Sequence, residues 1–224
     1  RMTMGSLEGK TVFLTGGGSG IGKATAKALL DEDANVFVLE FSADNIKTTE
    51  ADLGCDRFAM VQGDVSDEAA VTQAFAQCVE CFGTVDILLN NAGLGIPTPD
   101  LAETDPATYD KMFAVNARGV FLCNREALKI MKPKQSGHIV TLVSMGGQRT
   151  NGVAPLYCAS KFAARGISMG LADQVIKQGI RVTEINPGPV NSNYWGDREV
   201  PREKMLNVED VAGVIRYVVT LPQH

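Results

Sequence analysis

The feature that most constrains the fold is a glycine-rich segment between a short apolar run and a helical pattern. Residues 11–15 (TVFLT) are β-branched and apolar, residues 16–22 (GGGSGIG) follow at once, and a helical pattern continues to about Asp33. A turn that joins a strand directly to a helix presents main-chain N–H groups at the positive end of the helix dipole, where a pyrophosphate can bind. Glycine-rich segments also form plain tight turns, so that alternative stays open.

The rest of the chain repeats this alternation of short apolar runs and longer helical patterns. Regular alternation predicts an α/β protein, a single-domain Rossmann fold in which a doubly wound parallel β-sheet carries helices on both faces. Neither a linker nor a repeat is visible, so residues 1–224 are predicted to form this one domain. The predicted strands are 11–15, 35–40, 57–62, 85–89, 138–143 and 180–185. The first predicted helix follows the glycine-rich segment and ends near residue 33. Another is predicted to be capped by Ser66 and to end near residue 82. The remaining predicted helices are 43–52, 106–131, 155–177 and 208–221.

Charge and hydropathy exclude two classes of function. The net charge of −5 argues against a nucleic-acid-binding surface, which would be basic. No apolar run approaches the roughly 20 residues that a membrane-spanning helix needs.

Cysteine and histidine usage favours a cytoplasmic protein without a metal site. Five cysteines without the spacing of a disulfide framework are typical of a reducing compartment. Cys78 and Cys81 form a C-x-x-C pattern, but no second Cys/His pair completes a metal site, so we interpret them as packed helix cysteines, with a redox or metal role as the alternative. His138 and His224 are the only histidines in the sequence, which makes a histidine-based triad or zinc site an unfavourable interpretation.

Glu40 lies at the end of the second predicted strand, where an acidic side chain can accept both hydroxyls of an adenosine ribose. The same carboxylate would repel a 2′-phosphate, because two unit charges ~4 Å apart at an effective dielectric of ~20 repel by about 4 kcal/mol. The next residue, Phe41, offers no compensating positive charge. Glu40 therefore favours NAD over NADP, and a solvated acid at the strand end is the alternative.

Tyr157 and Lys161 are spaced i,i+4 and share one face of the predicted helix 155–177. A nearby ammonium stabilises a phenolate, which lowers the tyrosine pKa and allows proton exchange with a substrate oxygen near pH 7. Ser144 ends the fifth predicted strand and is expected at the same edge of the sheet as the glycine-rich turn, where its hydroxyl can hydrogen-bond a reacting oxygen. An exposed Tyr/Lys pair on a helix is the alternative.

Taken together, these motifs resemble the short-chain dehydrogenases/reductases, in their compact NAD(P)-dependent subgroup. The motifs occur in family order from about residue 8 to 220. The matching segments are Thr15-Gly16…Gly20-Ile21-Gly22, Asp64-Val65, Asn90-Asn91-Ala92-Gly93, Asn116, Ser144, Tyr157-Cys158-Ala159-Ser160-Lys161 and Asn186-Pro187-Gly188-Pro189-Val190.

The resemblance implies further site residues. Asp64 and Val65 would contact the adenine, Asn116 would hold a water in a proton relay to Lys161, and Lys161 would also bind the nicotinamide ribose. The expected catalytic residues are Asn116, Ser144, Tyr157 and Lys161. The expected cofactor-binding residues are Gly16, Ser19, Gly20, Ile21, Gly22, Glu40, Asp64, Val65, Asn90, Ala92, Gly93, Tyr157, Lys161, Pro187, Gly188, Val190 and Ser192. Two simpler interpretations stay open: Pro187-Gly188 as a plain turn, and Asn116 as a residue that caps or kinks a helix.

The substrate pocket is expected to be mostly apolar. Residues 191–207 are predicted to form a short lid that moves when the cofactor binds. The expected substrate contacts are Leu94, Met145, Gln148, Val153, Tyr194 and Trp195. A short lid favours a small or medium secondary alcohol or ketone as substrate.

The sequence thus predicts an NAD-dependent oxidoreductase that transfers a hydride between nicotinamide and an alcohol or ketone, with Tyr157 as acid/base. The alternatives are an NADPH-preferring biosynthetic reductase, such as a 3-oxoacyl reductase, and a non-catalytic dinucleotide-binding sensor. The resemblance implies a homodimer or homotetramer. The sequence departs from the family where Asn191-Ser192 replaces a frequent threonine, and where the chain stops before the usual seventh strand. The second departure bears more on the tetramer than on the chemistry.

Overall fold

A computed structural model describes residues 7–222 of the chain. Its six strands are parallel and form one sheet in the order β3-β2-β1-β4-β5-β6. Because the order reverses between β1 and β4, the crevice beyond the carboxyl ends of these two strands is the expected ligand-binding position. The strands are β1 Thr11–Thr15, β2 Asn35–Glu40, β3 Phe58–Gln62, β4 Ile87–Asn90, β5 Gly137–Leu142 and β6 Ile180–Ile185.

Helices cover both faces of the sheet. Phe13 of β1 points into a core shared with one set of helices, whereas its neighbours Val12 and Leu14 point into the core on the opposite face, as the two-residue period of a strand requires. The predicted fold class, a doubly wound parallel sheet with helices on both faces, is confirmed. The helices are α1 Gly20–Leu30, α2 Ala43–Leu53, α3 Glu68–Phe82, α4 Pro106–Phe113, α5 Gly119–Lys134, α6 Pro155–Val175 and α7 Val208–Thr220.

The predicted helix over 106–131 forms and extends to Lys134, but it contains a π-helical turn that the sequence pattern did not indicate. A π-helical turn, Ala114–Arg118, separates α4 from α5 and contains the fully buried Asn116. The Asn116 side chain exchanges hydrogen bonds with the main chain of Leu94 and donates to the Ser160 hydroxyl. The widened turn therefore coincides with a buried polar side chain that is bonded to two other segments, a common setting for π-bulges. Asn116 thus lies within the π-helical turn of the helix.

The predicted N-cap of α3 is also wrong by one residue. The Ser66 main-chain N–H and hydroxyl both donate to the Asp64 carboxylate, so this side chain is not available to the helix. Asp67 caps α3 instead by accepting a hydrogen bond from the Ala69 N–H.

Several other boundaries differ slightly from the prediction. Strand β3 begins at Phe58, and β4 is displaced toward Asn90. Strand β5 ends at Leu142, and α6 ends at Val175, where a 3₁₀ turn, Ile176–Gln178, follows. Pro155 lies in the first turn of α6, as predicted. Between residues 7 and 222, no helix combines the length and the apolar character needed to cross a bilayer.

Candidate active site

A cleft of about 1240 Å³ follows the carboxyl ends of the strands. It brings together the glycine-rich turn after β1, the segments after β4 and β5, the start of α6 and residues 192–195 of the predicted lid 191–207. The predicted site residues that line it are Gly16, Ser19, Gly20, Ile21, Gly22, Glu40, Asp64, Val65, Ala92, Gly93, Leu94, Ser144, Met145, Tyr157, Lys161, Pro187, Gly188, Val190, Ser192, Tyr194 and Trp195.

Four predicted site residues do not line this cleft. Asn90 is buried and donates to the Asn124 side chain of α5, which supports the sheet from one face. Asn116 lies buried behind the wall of the cleft. Gln148 and Val153 are exposed beside it. A direct contact of these four side chains with a ligand in the cleft is therefore not supported by their positions.

The glycine-rich turn lets neighbouring main-chain segments approach each other closely. Gly16 has φ +67°, and a Cβ there would come within 3.0 Å of the Ala92 Cα. A Cβ on Gly22 would overlap the Gly16 carbonyl oxygen. The two glycines let the turn, the start of α1 and the segment after β4 pack without side chains between them.

Two residues that were not proposed as site residues hold this turn in place. Asn91 donates from Nδ2 to the carbonyl oxygens of Thr15 and Gly16, at 2.9 and 2.8 Å. The Thr15 hydroxyl in turn accepts from the N–H groups of Asn91 and Ala92, both at 3.0 Å. Both residues stood within the family-like motifs, but nothing in their spacing showed that they bond each other.

Glu40 is buried at the end of β2, and its carboxylate faces the cleft. One oxygen accepts from the Gly18 N–H at 2.8 Å and the other from the Ser42 N–H at 3.0 Å. Because a carboxylate oxygen can accept more than one hydrogen bond, both oxygens retain capacity for ribose hydroxyls. The two main-chain bonds fix the position of the negative charge at this end of the cleft.

Ser144 adopts a backbone conformation that is rare for a residue with a side chain, with φ 145° and ψ 158°. Its hydroxyl accepts a hydrogen bond from the Gly146 N–H at 3.0 Å. Strain of this kind costs on the order of 1–3 kcal/mol and is typical of functional sites. The conformation turns the chain at the end of β5 and brings the Ser144 hydroxyl near Tyr157, since a Cβ built on Gly146 would lie 3.4 Å from the Ser144 Oγ and 3.2 Å from the Tyr157 Cε1.

Lys161 is buried one turn of α6 beyond Tyr157. Its Nζ donates to the carbonyl oxygen of Leu142 at 3.0 Å, and a Cβ added to Gly93 would lie 3.3 Å from the same atom. Burial lowers the pKa of Lys161 to about 8. The ammonium thus lies between the ends of β4 and β5, at the floor of the cleft.

The expectation of a lowered pKa for Tyr157 is not met. Burial raises the pKa of Tyr157, and hydrogen bonds from the hydroxyls of Ser144 and Tyr194 offset part of this effect. The Lys161 ammonium is directed to the Leu142 carbonyl. Tyr157 and Lys161 thus both line the cleft from one face of α6.

Main-chain hydrogen bonds connect the two ends of the lid segment. Val190 and Leu206 form an isolated parallel bridge, in which the Asn191 N–H donates to Leu206 at 2.8 Å. The Trp195 indole N–H donates to the Val190 carbonyl at 2.7 Å. Ser192 lies against the glycine-rich turn, since a Cβ on Gly20 would be 3.5 Å from it. This places the lid over the turn and over Tyr157.

The sequence matches the family model described as short chain dehydrogenase over residues 10–202. The chain belongs to this family. It is accordingly an oxidoreductase that acts on alcohol or ketone groups with NAD(P). The family model covers every strand of the sheet, the Ser144, Tyr157 and Lys161 cluster, and most of the lid.

Named relatives span most of the chain at modest identity. Secoisolariciresinol dehydrogenase from Forsythia intermedia is 31% identical, over 96% of this chain and 83% of its own length. The crystal structure of a 3-ketoacyl-(acyl-carrier-protein) reductase from Brucella melitensis in complex with NADH is 29% identical, with a TM-score of 0.90 over 97% of this chain and 93% of that one. The structure of ElxO with NADP bound is 28% identical, with a TM-score of 0.86 over 96% of this chain and 92% of that one.

Of the two cysteines of the C-x-x-C pattern, only Cys78 is packed in the core, so the interpretation of both as packed helix cysteines is wrong for Cys81. Cys78 is buried, Cys81 is exposed, and burial raises the pKa of the Cys78 thiol to about 12. Within residues 7–222, no group of three or more His, Cys, Asp and Glu side chains is arranged to hold a metal ion.

Proposed function

We propose that this protein is an NAD-preferring dehydrogenase or reductase of small or medium secondary alcohols and ketones, with Tyr157 as the acid/base. The observation that carries the proposal is the convergence of Ser144, Tyr157 and Lys161 in one cleft with the glycine-rich turn and Glu40. Retention of all three polar residues in one cleft argues against a non-catalytic sensor.

The residues of the cleft fit a nicotinamide dinucleotide. The turn at Gly16 and Gly22 leaves main chain uncovered at the N-terminus of α1, which suits a pyrophosphate. Glu40 would accept the adenosine ribose hydroxyls, and Asp64 with Val65 would contact the adenine. When bound, the cofactor supplies or accepts the hydride. The remaining cofactor contacts proposed from the family resemblance are Ser19, Gly20, Ile21, Ala92, Gly93, Pro187, Gly188, Val190 and Ser192.

The protein's own groups handle the proton and the developing charge. In ketone reduction the Tyr157 hydroxyl gives its proton to the carbonyl oxygen, while the Ser144 hydroxyl donates a hydrogen bond to that oxygen. In alcohol oxidation the Tyr157 oxygen takes the proton. Lys161 would hold the nicotinamide ribose and would supply positive charge near the phenolate.

The hydrogen bonds of the Asn116 side chain change the relay role that we propose for this residue. Its Nδ2 donates to the Leu94 carbonyl and the Ser160 hydroxyl, so the amide group has no N–H left to donate to a relay water, and its Oδ1 already accepts from the Leu94 N–H. A main-chain carbonyl of the π-helical turn is the better candidate to hold the relay water, because a π-bulge disturbs the regular hydrogen bonding of helix carbonyls.

We infer NAD preference from Glu40, because the carboxylate is buried, held by two N–H groups and directed at the cleft. We also infer a homodimer or homotetramer, supported by Phe121 of α5 with Phe162 and Met169 of α6, which are 49%, 43% and 55% exposed. A cytoplasmic location is proposed from the free cysteines among the described residues.

A turnover screen tests the proposed function. Secondary alcohols and the matching ketones are assayed with NAD(H) and with NADP(H), beside Tyr157→Phe as the inactive control. We expect turnover that is faster with NAD(H) and that is lost in the variant. Equal turnover with both cofactors would refute the preference, and full activity of Tyr157→Phe would refute the mechanism. Preferential reduction of 3-oxoacyl thioesters with NADPH would identify the biosynthetic alternative.

A further inference from the structure

An aromatic ring of the lid lies directly beside the proposed acid/base. Tyr157 and Tyr194 both line the cleft, and their ring centroids are 5.9 Å apart with the ring planes inclined by 52°. Two tilted rings at this separation are in contact, so no further group fits between them. A substrate whose oxygen bonds the Tyr157 phenol therefore meets the Tyr194 ring on one side.

The outer edge of the Tyr194 ring occupies the place of a side chain at residue 95. A Cβ built on Gly95 would overlap the Tyr194 hydroxyl oxygen, and its three nearest atoms all belong to that phenol. Gly95 is outside the left-handed region, so its backbone conformation does not itself require glycine. Leu94 lines the cleft and Gly95 does not, which places the Tyr194 phenol between the cleft and the main chain of Gly95.

Two arginines hold the turn that carries this ring. The Arg198 guanidinium lies 5.1 Å from the ring centroids of both Tyr194 and Trp195, and it donates hydrogen bonds to the carbonyl oxygens of both residues. The two rings also pack edge to face, with centroids 5.2 Å apart. Arg202 donates to the Gly196 carbonyl at 2.9 Å. Contacts within the lid thus fix the position of the Tyr194 ring, which makes it a wall of the cleft.

The cleft also extends past Tyr157 along residues that leave it open. Gly146 contributes no side chain, and a Cβ built there would lie only 3.2 Å from the Tyr157 Cε1. Residues 149–151 follow, and they line the cleft while remaining exposed to solvent. A substituent of the substrate that points in this direction has room, whereas one that points at the Tyr194 ring does not.

We propose that Tyr194 is a specificity-determining residue: its ring, packed against Gly95, limits one of the two substituents on the reacting carbon to about the size of a methyl group. The larger substituent occupies the open part of the cleft. The substrate class is therefore methyl ketones and the corresponding secondary alcohols. The inference rests on the proposed function, because the Tyr157 phenol determines where the substrate oxygen lies. It also explains the glycine at residue 95, where a side chain would displace the ring.

Two isomeric ketones, 2-heptanone and 4-heptanone, test the size limit in reduction with NADH. They have the same composition, but only 2-heptanone carries a methyl group on the carbonyl carbon. One methylene group in a fitted pocket changes kcat/KM by about 10–200-fold, so the wild type should favour 2-heptanone by at least about tenfold. Tyr194→Ala should lower this ratio by about tenfold or more, because kcat/KM for 4-heptanone rises.

Two further variants separate the volume of the ring from its other properties. Tyr194→Phe removes the hydroxyl and keeps the ring, so it should keep the wild-type ratio. Gly95→Ala keeps the ring but forces it to move, so it should change the ratio. The matched controls are Tyr217→Ala on α7, which is 55% exposed, and Gly152→Ala, whose methyl meets nothing within 4 Å. Both controls should keep the wild-type ratio.

Binding is measured separately from turnover. Each ketone is titrated into the NADH complexes of Tyr157→Phe and of the double variant Tyr157→Phe/Tyr194→Ala, and the fluorescence of the bound NADH is followed. We expect 4-heptanone to bind more tightly to the double variant, with little change for 2-heptanone.

The outcomes separate this inference from the proposed function. Tighter binding of 4-heptanone to the double variant, without turnover of any ketone by the wild type, supports the role of Tyr194 and refutes the proposed activity. Turnover with the same ratio in the wild type and in Tyr194→Ala overturns the inference and leaves the activity in place. A ratio that falls equally in Tyr194→Phe and Tyr194→Ala overturns it too, because the hydroxyl would then be responsible. Failure to bind or reduce either ketone also overturns it, because the assigned substrate class would be wrong.

Discussion

The Nζ of Lys161 lies 3.0 Å from the main-chain oxygen of Leu142, the last residue of β5. The ammonium is therefore anchored to the strand that also delivers Ser144, two residues further along the chain. Because burial lowers its pKa to about 8, this group changes charge within the pH range in which dehydrogenases are commonly assayed. Its contacts place it beside Gly93 rather than on the Tyr157 oxygen.

Lys161→Ala should reduce both cofactor binding and turnover. We expect kcat/KM to fall by on the order of 10²–10⁴, the range for groups that take part in proton transfer, and the dissociation constant for NADH to rise in fluorescence titrations. Lys177→Ala, at an exposed position in the 3₁₀ turn after α6, serves as the control. Turnover of Lys161→Ala at the wild-type rate would contradict the assigned role.

Glu40→Gln should weaken the discrimination between the two cofactors. The substitution removes the charge that repels a 2′-phosphate and keeps an acceptor for the ribose. The ratio of kcat/KM with NAD to that with NADP should fall about tenfold or more, a change of about 1.4 kcal/mol. Glu50→Gln on the exposed side of α2 is the matched control. An unchanged ratio of NAD to NADP efficiency in Glu40→Gln would show that the carboxylate does not discriminate between the two cofactors.

Gly22→Ala and Gly213→Ala should have opposite effects on the free energy of unfolding. Both glycines lie in helices, but a methyl on Gly22 overlaps the Gly16 carbonyl, whereas one on Gly213 meets nothing within 4 Å. We expect Gly22→Ala to lose about 1–3 kcal/mol and to weaken NAD binding. Gly213→Ala should gain about 0.5–1 kcal/mol, because it removes backbone freedom from the unfolded chain.

Urea unfolding with NAD titrations measures both quantities. Equal stability of the two variants would show that the turn has room for a side chain, and the close packing of the Gly16 and Gly22 main chain would then be disproved.

The strands of the sheet could be predicted because the residue pattern that favours a buried strand lies within the strand itself. TVFLT and NVFVLE are apolar and β-branched on both faces, as doubly buried parallel strands require, and β1 and β2 form as predicted at these positions. The glycine-rich turn, Ser144, Tyr157 and Lys161 could be assigned to one edge, since carboxyl ends of parallel strands meet there.

The remaining features depend on contacts distant in sequence. The π-helical turn at Asn116 coincides with bonds to Leu94 and Ser160, and an unbroken helical pattern in the sequence does not reveal it. The hydrogen bond from Lys161 to Leu142, and the fit of Tyr194 against Gly95, likewise join segments that sequence spacing leaves unrelated.

The buried His138 should make the protein sensitive to acid. Burial, aided by Arg181, lowers the His138 pKa to about 3, while Nε2 bonds the Thr183 hydroxyl at 2.9 Å. Since the folded-state pKa lies below the unfolded value of about 6.5, the unfolded chain binds more protons between pH 6.5 and 3. The free energy of unfolding should therefore fall as the pH falls through that window. Above pH 6.5 the stability associated with the neutral, buried His138 is fully present.

Urea unfolding of the wild type and of His138→Gln between pH 7 and 4 isolates this contribution. The wild type should lose up to about 1.4 kcal/mol per pH unit more than the variant, which corresponds to one proton. Parallel pH dependences in the two proteins would show that His138 is protonated as readily when folded as when unfolded.

The central claim is hydride transfer between nicotinamide and a substrate carbon with Tyr157 as the proton donor. The most direct measurement uses NADH with deuterium at both C4 positions and a ketone from the screen, and follows deuterium at the new carbinol carbon by mass spectrometry. We predict one deuterium per product molecule in the wild type and in Tyr217→Phe, and a rate at least about 10²-fold lower in Tyr157→Phe. Product without deuterium, or deuterium transfer by Tyr157→Phe at the wild-type rate, would contradict the account.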